Sequence, residues 1–189
     1  MMKLFAISLK HIKRVLTHKW YVFIYCKKIG IPFRGFMHDW SKFTPTEFLE
    51  SIRNYEEGVS PIIVAKKRKG YSEAWQHHKG RNPHHYEYWV DNLDKGGVAI
   101  KMPFKYVLEM IADYLGAGTV YHGKNFTIQD ELVWWNNLLE NYPPKMHPET
   151  KELVTYIFED FIRHGEIYNL TKTNLEDKYN SGFFTHDEV

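Results

Sequence analysis

The chain has 189 residues, 16% of them aromatic, a formal net charge of +2 and a single cysteine, Cys26. That length suits one domain with a sizeable core. The charge is too small to imply a nucleic-acid partner by itself. One thiol excludes a disulfide scaffold and multi-thiolate metal sites, and it fits a reducing, cytoplasmic setting. The first residues, MMKLFAISLKHIKR, hold a short apolar run broken by Lys10, Lys13 and Arg14. A signal peptide needs an apolar stretch of roughly 7–15 residues. No run reaches the ~18 apolar residues of a membrane span, so no membrane partner is expected.

In chain order, the periodicity predicts a helix from about Lys3 to Lys28. Ile7, Val15, Val22 and Cys26 share its apolar face with His11 and His18. The many bases elsewhere on this helix read as a solvated face. Gly30-Ile-Pro32 breaks it. His38 and Asp39 follow the apolar pair Phe36 and Met37, which predicts a buried turn, and Lys42 lies one turn on. A buried Asp needs a cation or strong hydrogen bonds, and Lys42 is itself a candidate cation. Thr44-Pro-Thr-Glu47 reads as a capping box opening a helix to about Glu56, with Phe48 and Ile52 inward. Residues 57–70 read as a loop with a solvated basic tract at 66–69.

The stretch His77–His85 places four histidines in nine residues. Ser72–Lys79 is predicted as a short helix ending at Gly80. Asn82 offers an N-cap and Pro83 a first helical position for the next. One histidine pair then ends a helix and the other opens one, so the imidazoles can aim at a common point. A surface histidine cluster is the plain alternative. Of the aromatics nearby, Trp75 and Trp89 read as core. Residues 91–97 read as a turn-rich loop.

A largely apolar helix is predicted from Met102-Pro103 to about Gly116, carrying Val107, Met110, Ile111, Tyr114 and Leu115. Asp113 sits inside that run with Glu109 one turn earlier. An ionised carboxylate placed inward is costly unless paired or metal-bound. Gly116, Ala117 and Gly118 allow close helix contact. Further helices are predicted for Thr127–Asn141 and from His147-Pro148 to His164. Residues 166–189 read as an irregular tail anchored by Phe183 and Phe184. His122, His147, His164 and His186 lack ligand-like company.

Inward polar residues thus come from four helical regions: His18; His38 and Asp39; the histidines of 77–85; and Asp113. Nitrogen and carboxylate donors without thiolate suit Mn, Fe, Zn or Ni. More than four donors suggest two ions sharing a bridging Asp. Such a centre would stay cationic and attract an anionic substrate.

The order His18, then His38-Asp39 with Lys42, then histidine, then Asp113 in an apolar helix resembles the HD-domain superfamily. That resemblance implies an all-α HD-like helical bundle of about six to seven helices over residues 1–165. It implies metal-dependent phosphoester hydrolysis, with a few members that are di-iron oxygenases. The sequence also resembles a narrower family of uncharacterised bacterial and phage proteins. The shared words are His38-Asp-Trp-Ser-Lys42, Thr44-Pro-Thr-Glu-Phe48, Tyr71-Ser-Glu-Ala-Trp75, His77-His-Lys-Gly-Arg-Asn82, His84-His-Tyr-Glu-Tyr-Trp89, Lys101-Met-Pro103 and Glu109-Met-Ile-Ala-Asp113.

The metal ligands expected from this are His18, His38, Asp39, Asp113, and His78 with His84 or His85. His77 and Glu109 are expected behind them. The expected function is hydrolysis of a small phosphorylated molecule, a nucleotide being one candidate, with Asp39 orienting or deprotonating a water. Lys42, Lys79 and Arg81 would neutralise phosphate, and Tyr71 and Tyr86 would line the pocket. Two rivals are a di-iron oxygenase on the same ligands and a non-catalytic metal-containing regulatory protein. Nucleic-acid binding through the basic tract is argued against by the near-neutral charge. The sequence leaves homo-oligomer formation open.

Overall fold

A computed structural model describes residues 2–184, so His186 lies outside the described residues. The first apolar stripe becomes helix α1, Met2–Ile29. Its inner face carries His11, Val15, Val22, Cys26 and Ile29, all buried. Pro32 opens helix α2, Pro32–Met37, which folds back on α1. Gly35 permits this, because a Cβ there would stand 2.6 Å from the Cys26 Cβ.

The turn expected to be buried does enclose His38 and Asp39, although the apolar pair before it, Phe36 and Met37, is exposed. The chain leaves the helix at His38 (ψ 134°), and Asp39 takes a left-handed conformation (φ 55°). That reversal turns the polar pair inward. It is a conformation Asp tolerates and most other residues do not.

Helix α3 covers Pro45–Arg53. Residues 57–70, expected as a loop, contain helix α4, Pro61–Lys69. Pro61 begins it and the left-handed Gly70 ends it, which are ordinary helix boundary signals. Helix α5, Glu73–Lys79, starts at Ser72, whose hydroxyl accepts from the Trp75 N–H. No helix opens at Pro83; a 3-10 turn at Tyr86–Trp89 follows instead. Strands β1 (Val90–Asp91) and β2 (Val98–Ala99) form a short antiparallel hairpin with Val90 opposite Ala99. Then come α6 (Phe104–His122), α7 (Ile128–Asn141) and α8 (Pro148–His164). Thr127 and Asp130 close a capping box on α7.

The stretch from 166, expected as an irregular tail, holds a 3-10 turn at Leu170–Lys172 and helix α9, Leu175–Asn180. Leu170, Leu175, Tyr179 and Phe184 join the core, whereas Phe183 is exposed. The Tyr179 hydroxyl donates to the Met102 carbonyl at 2.7 Å, tying this segment to the start of α6. The described residues therefore contain nine α-helices, more than the six to seven expected, around one two-stranded hairpin. The fold is all-α in the broad sense.

Helix α6 is the spine. Val107, Met110, Ile111 and Leu115 belong to an apolar cluster with Trp135 of α7, and Leu153, Ile157, Phe158 and Phe161 of α8. At Gly116 the helix comes so close to α1 that a Cβ would stand 2.6 Å from the Val22 Cγ2. This approach brings Asp113 of α6 beside His18 of α1. Among the described residues no helix is long and apolar enough to cross a membrane.

Candidate metal centre

Five segments deliver polar side chains to one buried point. Helix α1 supplies His18, the turn after α2 supplies His38 and Asp39, and the end of α5 supplies His78. The following turn supplies His84 and His85, and α6 supplies Asp113. The two oxygens of Asp39 face different partners. Its Oδ2 lies 3.3 Å from His38 Nε2 and 3.9 Å from His18 Nε2. Its Oδ1 lies 3.3 Å from both His78 Nε2 and His84 Nε2. Asp113 Oδ1 lies 2.9 Å from His18 Nε2 and 3.4 Å from His38 Nε2.

Two donor groups result: His18, His38, Asp39 and Asp113; and Asp39, His78, His84 and His85. Within each, the donor atoms lie within 4.8 Å of one another. Neighbouring donors that sit ~2.1 Å from a shared ion are about 3.0–3.4 Å apart, so several of these spacings suit a common ion. The Nε2 atoms of His18, His38, His78, His84 and His85, and both oxygens of Asp39, are buried and make no hydrogen bond of acceptable direction. Such orphaned polar atoms are expensive unless something else satisfies them. These buried His and Asp groups are positioned to bind a metal ion.

The outer edges of three of these rings are, by contrast, held. Glu109 Oε1 lies 3.1 Å from His38 Nδ1 and 3.2 Å from His84 Nδ1. Its Oε2 accepts from Arg34 Nε at 2.7 Å. Glu47 Oε2 lies 2.8 Å from His78 Nδ1, and its Oε1 lies 2.7 Å from His77 Nδ1. With Nδ1 donating to a carboxylate, each imidazole presents its Nε2 lone pair inward, the arrangement that orients metal-binding histidines. A third possible donor group, His38, His84 and Glu109, uses these same outer nitrogens. We assign it to orientation, because the second oxygen of Glu109 is committed to Arg34.

Electrostatics follow from this crowding. Burial alone would push the Asp39 and Asp113 carboxyls up, but the imidazoles around them, with Lys42 beside Asp39, hold both well below the usual carboxylate range. His38 and His78 are raised, because the neighbouring carboxylates outweigh burial. His18 and His85 are lowered, with burial the main cause. Lys42 Nζ lies 2.5 Å from Asp39 Oδ2, and Asp39 and Asp113 raise its pKa against burial. Positive charge is therefore drawn to this point from several sides, as a bound cation would supply it.

Two hollows adjoin the cluster. One, of about 220 Å³, is lined by His11, Val15, His18, Lys42, His78 and Asp113 among others. The other, of about 190 Å³, is lined by Arg34, Asp39, Arg81, His84 and Glu109 among others. Of the residues expected at the substrate, Lys42 and Arg81 thus border the cluster. Lys79 and Tyr86 line a separate hollow with Tyr142 and Pro143. Tyr71 is exposed, its ring under the Lys69 ammonium. Lys79, Tyr86 and Tyr71 thus line neither of the two hollows beside the cluster.

Sequence reasoning missed the part of Glu47 in the cluster. The spacing predicts a capping box for Glu47, yet Thr44 makes no side-chain cap and Glu47 reaches His77 and His78 instead. Asn82, expected as an N-cap, donates to Ser41 Oγ at 2.8 Å and to the His78 carbonyl at 2.7 Å. The available signal was Glu47 and Glu50 at i and i+3, two carboxylates on one helix face. Glu50 braces the start of α5, accepting from Ser72 Oγ at 3.1 Å.

Residues 7–160 match a family described as "Family of unknown function (DUF5662)". The chain belongs to that family. No curated protein and no solved structure matches. The DUF5662 match spans every donor from His18 to Asp113 as well as Glu47 and Glu109. It ends before the 3-10 turn and α9 that close the core.

Proposed function

We propose that this protein is a metal-dependent hydrolase of a small phosphoester, built on the HD-domain plan that its sequence resembles. The observation that carries the reading is the split engagement of Asp39, whose two oxygens face two separate sets of buried, orphaned imidazole nitrogens. His18, His38, Asp39 and Asp113 would hold one ion, and Asp39, His78, His84 and His85 the other. The nitrogen and carboxylate donors suit Mn, Fe, Zn or Ni. When bound, such ions supply a water acidified towards a pKa of ~7 and positive charge for phosphoryl oxygens.

The chain's own groups complete the site. Asp39, on the wall of the smaller hollow, would orient the water, and Arg81 guards that opening. Lys42, at the wall of the larger hollow, meets the phosphate charge. Glu109 and Glu47 keep the imidazoles aligned. The larger hollow lies below the ~300–1,000 Å³ of drug-sized ligand sites, which favours a compact substrate over a polymer.

The test is elemental analysis of untagged protein together with phosphate release from a panel of small phosphoesters, for the parent and Asp39→Asn. Two ions per chain and turnover in the parent, both lost in the variant, are expected. A well-folded parent that binds no metal after Mn²⁺ or Fe²⁺ is added back would sink the proposal. Bound iron with oxygen uptake and no phosphate release would replace it with the di-iron oxygenase.

A further inference from the structure

On the α7 side of α6 lies a hollow of about 290 Å³ with a different chemistry. Its walls include Tyr114, Gly118 and Tyr121 of α6, Phe126 of the connecting turn, and Glu131 and Trp134 of α7. No Lys or Arg lines it. Glu131 is only 6% exposed. Its side chain makes no hydrogen bond or ion pair among the described residues. The neighbouring Asp130 is occupied, its Oδ2 accepting from the Thr127 N–H and hydroxyl at 2.8 and 2.7 Å. A buried carboxylate without a partner is costly, and a cation brought in by a ligand would remove that cost.

The walls say what kind of cation. The Tyr114 and Trp134 rings stand 5.2 Å apart at 64°, forming two sides of a corner. At the floor, a Cβ on Gly118 would lie 2.3 Å from Phe126 Cε2 and 2.6 Å from Glu131 Oε2. The missing side chain therefore lets an aromatic edge and the carboxylate meet over bare backbone. Tyr121 and Trp134 are each about half exposed, so the hollow is open to solvent. A metal ion would want several oxygen donors, and only one carboxylate is free here. Aromatic faces around one anion suit a soft, weakly hydrated organic cation.

We propose that this hollow binds a small organic ammonium ion, with Glu131 as counter-ion and Tyr114, Tyr121, Phe126 and Trp134 as walls. Burial, with Asp113 and Asp130 adding to it, pushes the Glu131 carboxyl up to about 8, so an ammonium ion bound beside it would favour its ionised form and lower that value. The inference does not depend on hydrolysis. This hollow shares Ala117 and Tyr121 with the one beside the metal cluster but none of the donor residues.

The test uses the full-length protein, titrated calorimetrically with choline and with its neutral isostere 3,3-dimethyl-1-butanol. Saturable one-to-one binding of choline is expected, with the neutral isostere weaker by about tenfold or more. Glu131→Gln should weaken choline by a similar factor while melting no lower than the parent. Trp134→Ala, at an exposed position, should weaken choline without unfolding the chain. No saturable choline binding, equal binding of the two probes, or undiminished binding in Glu131→Gln would each overturn the proposal. Metal content and phosphate release are read separately, so loss of either proposal leaves the other standing.

Discussion

Helix α6 separates an apolar interior from a polar one, and the two are completed in different ways. Towards α7 and α8, Trp135, Leu153, Ile157, Phe158 and Phe161 are fully buried against its apolar residues. The one polar atom of Trp135 is satisfied, its Nε1 donating to Thr155 Oγ1 at 2.8 Å. Around Trp135 nothing more is needed. Towards α1 and the turn after α2, the same helix offers Asp113 and Glu109 to a nest of imidazoles whose inner nitrogens go without directed hydrogen bonds. The first region can carry stability by packing, while the second holds buried His and Asp groups positioned to bind a metal ion. Stability and metal binding should therefore separate under mutation.

The sharpest break of that comparison is at Asp39. Asn keeps the shape and tolerates the left-handed backbone (φ 55°), so Asp39→Asn removes the shared charge while sparing the turn. Metal should fall from two ions per chain to background, and phosphate release with it, by about 10³-fold or more given the several kcal/mol such ions supply. Circular dichroism should keep its helical signal. Two ions retained in Asp39→Asn would show that the carboxylate does not bridge.

On the apolar side, Trp135→Ala should cost about 3–5 kcal/mol in denaturant unfolding, through lost packing and a cavity. Metal per folded chain should not change. Metal loss at equal folded fraction would mean the two interiors are not separable. A smaller effect is expected at Glu109→Gln, which leaves all the donors in place but weakens the hold on His38 and His84. Chelator competition should read about 10–100-fold weaker metal binding. An unchanged affinity would assign Glu109 to the Arg34 pair alone.

Much of the cluster was legible because its residues broke a local pattern. His18 on an apolar stripe, Asp113 inside an apolar helix and the doublet after Gly30-Ile-Pro32 each asked for a buried partner, and the fold gathers them. The choice between His84 and His85 was not legible: a non-helical turn carries both, and both Nε2 atoms face the cluster. Where reading failed, tertiary partners overrode local signals. Thr44 and Glu47 had the spacing of a capping box, but two imidazoles claimed the carboxylate. Asn82-Pro83 had the form of a helix start, yet the Asn amide ties the turn to Ser41 and His78. Helix α4 was hidden by its own basic face, although Pro61 and Gly70 marked its ends. Helix α9 was hidden by a polar sequence whose few apolar residues, Leu175 and Tyr179, find their partners only in three dimensions.

On the α7 side of α6, the hollow between the two helices holds one carboxyl, Glu131, without a partner among the described residues. Glu131 faces Tyr114, Tyr121 and His122 across the hollow, with Asp113 and Asp130 as the nearby acids. Its folded carboxyl is raised to about 8 from an ordinary 4.5. Between those values the folded chain holds a proton that the unfolded chain has lost, so stability falls as pH rises and the full cost is present above pH 8. From pH 7 to 9 the parent should lose about 1–2 kcal/mol relative to Glu131→Gln, read as a divergence of urea midpoints. Saturating choline should flatten the parent's decline, because the ammonium favours the ionised carboxylate. Parallel pH profiles for parent and variant would show that Glu131 is already satisfied, and the contrast between a finished and an unfinished interior would then stop at the metal cluster.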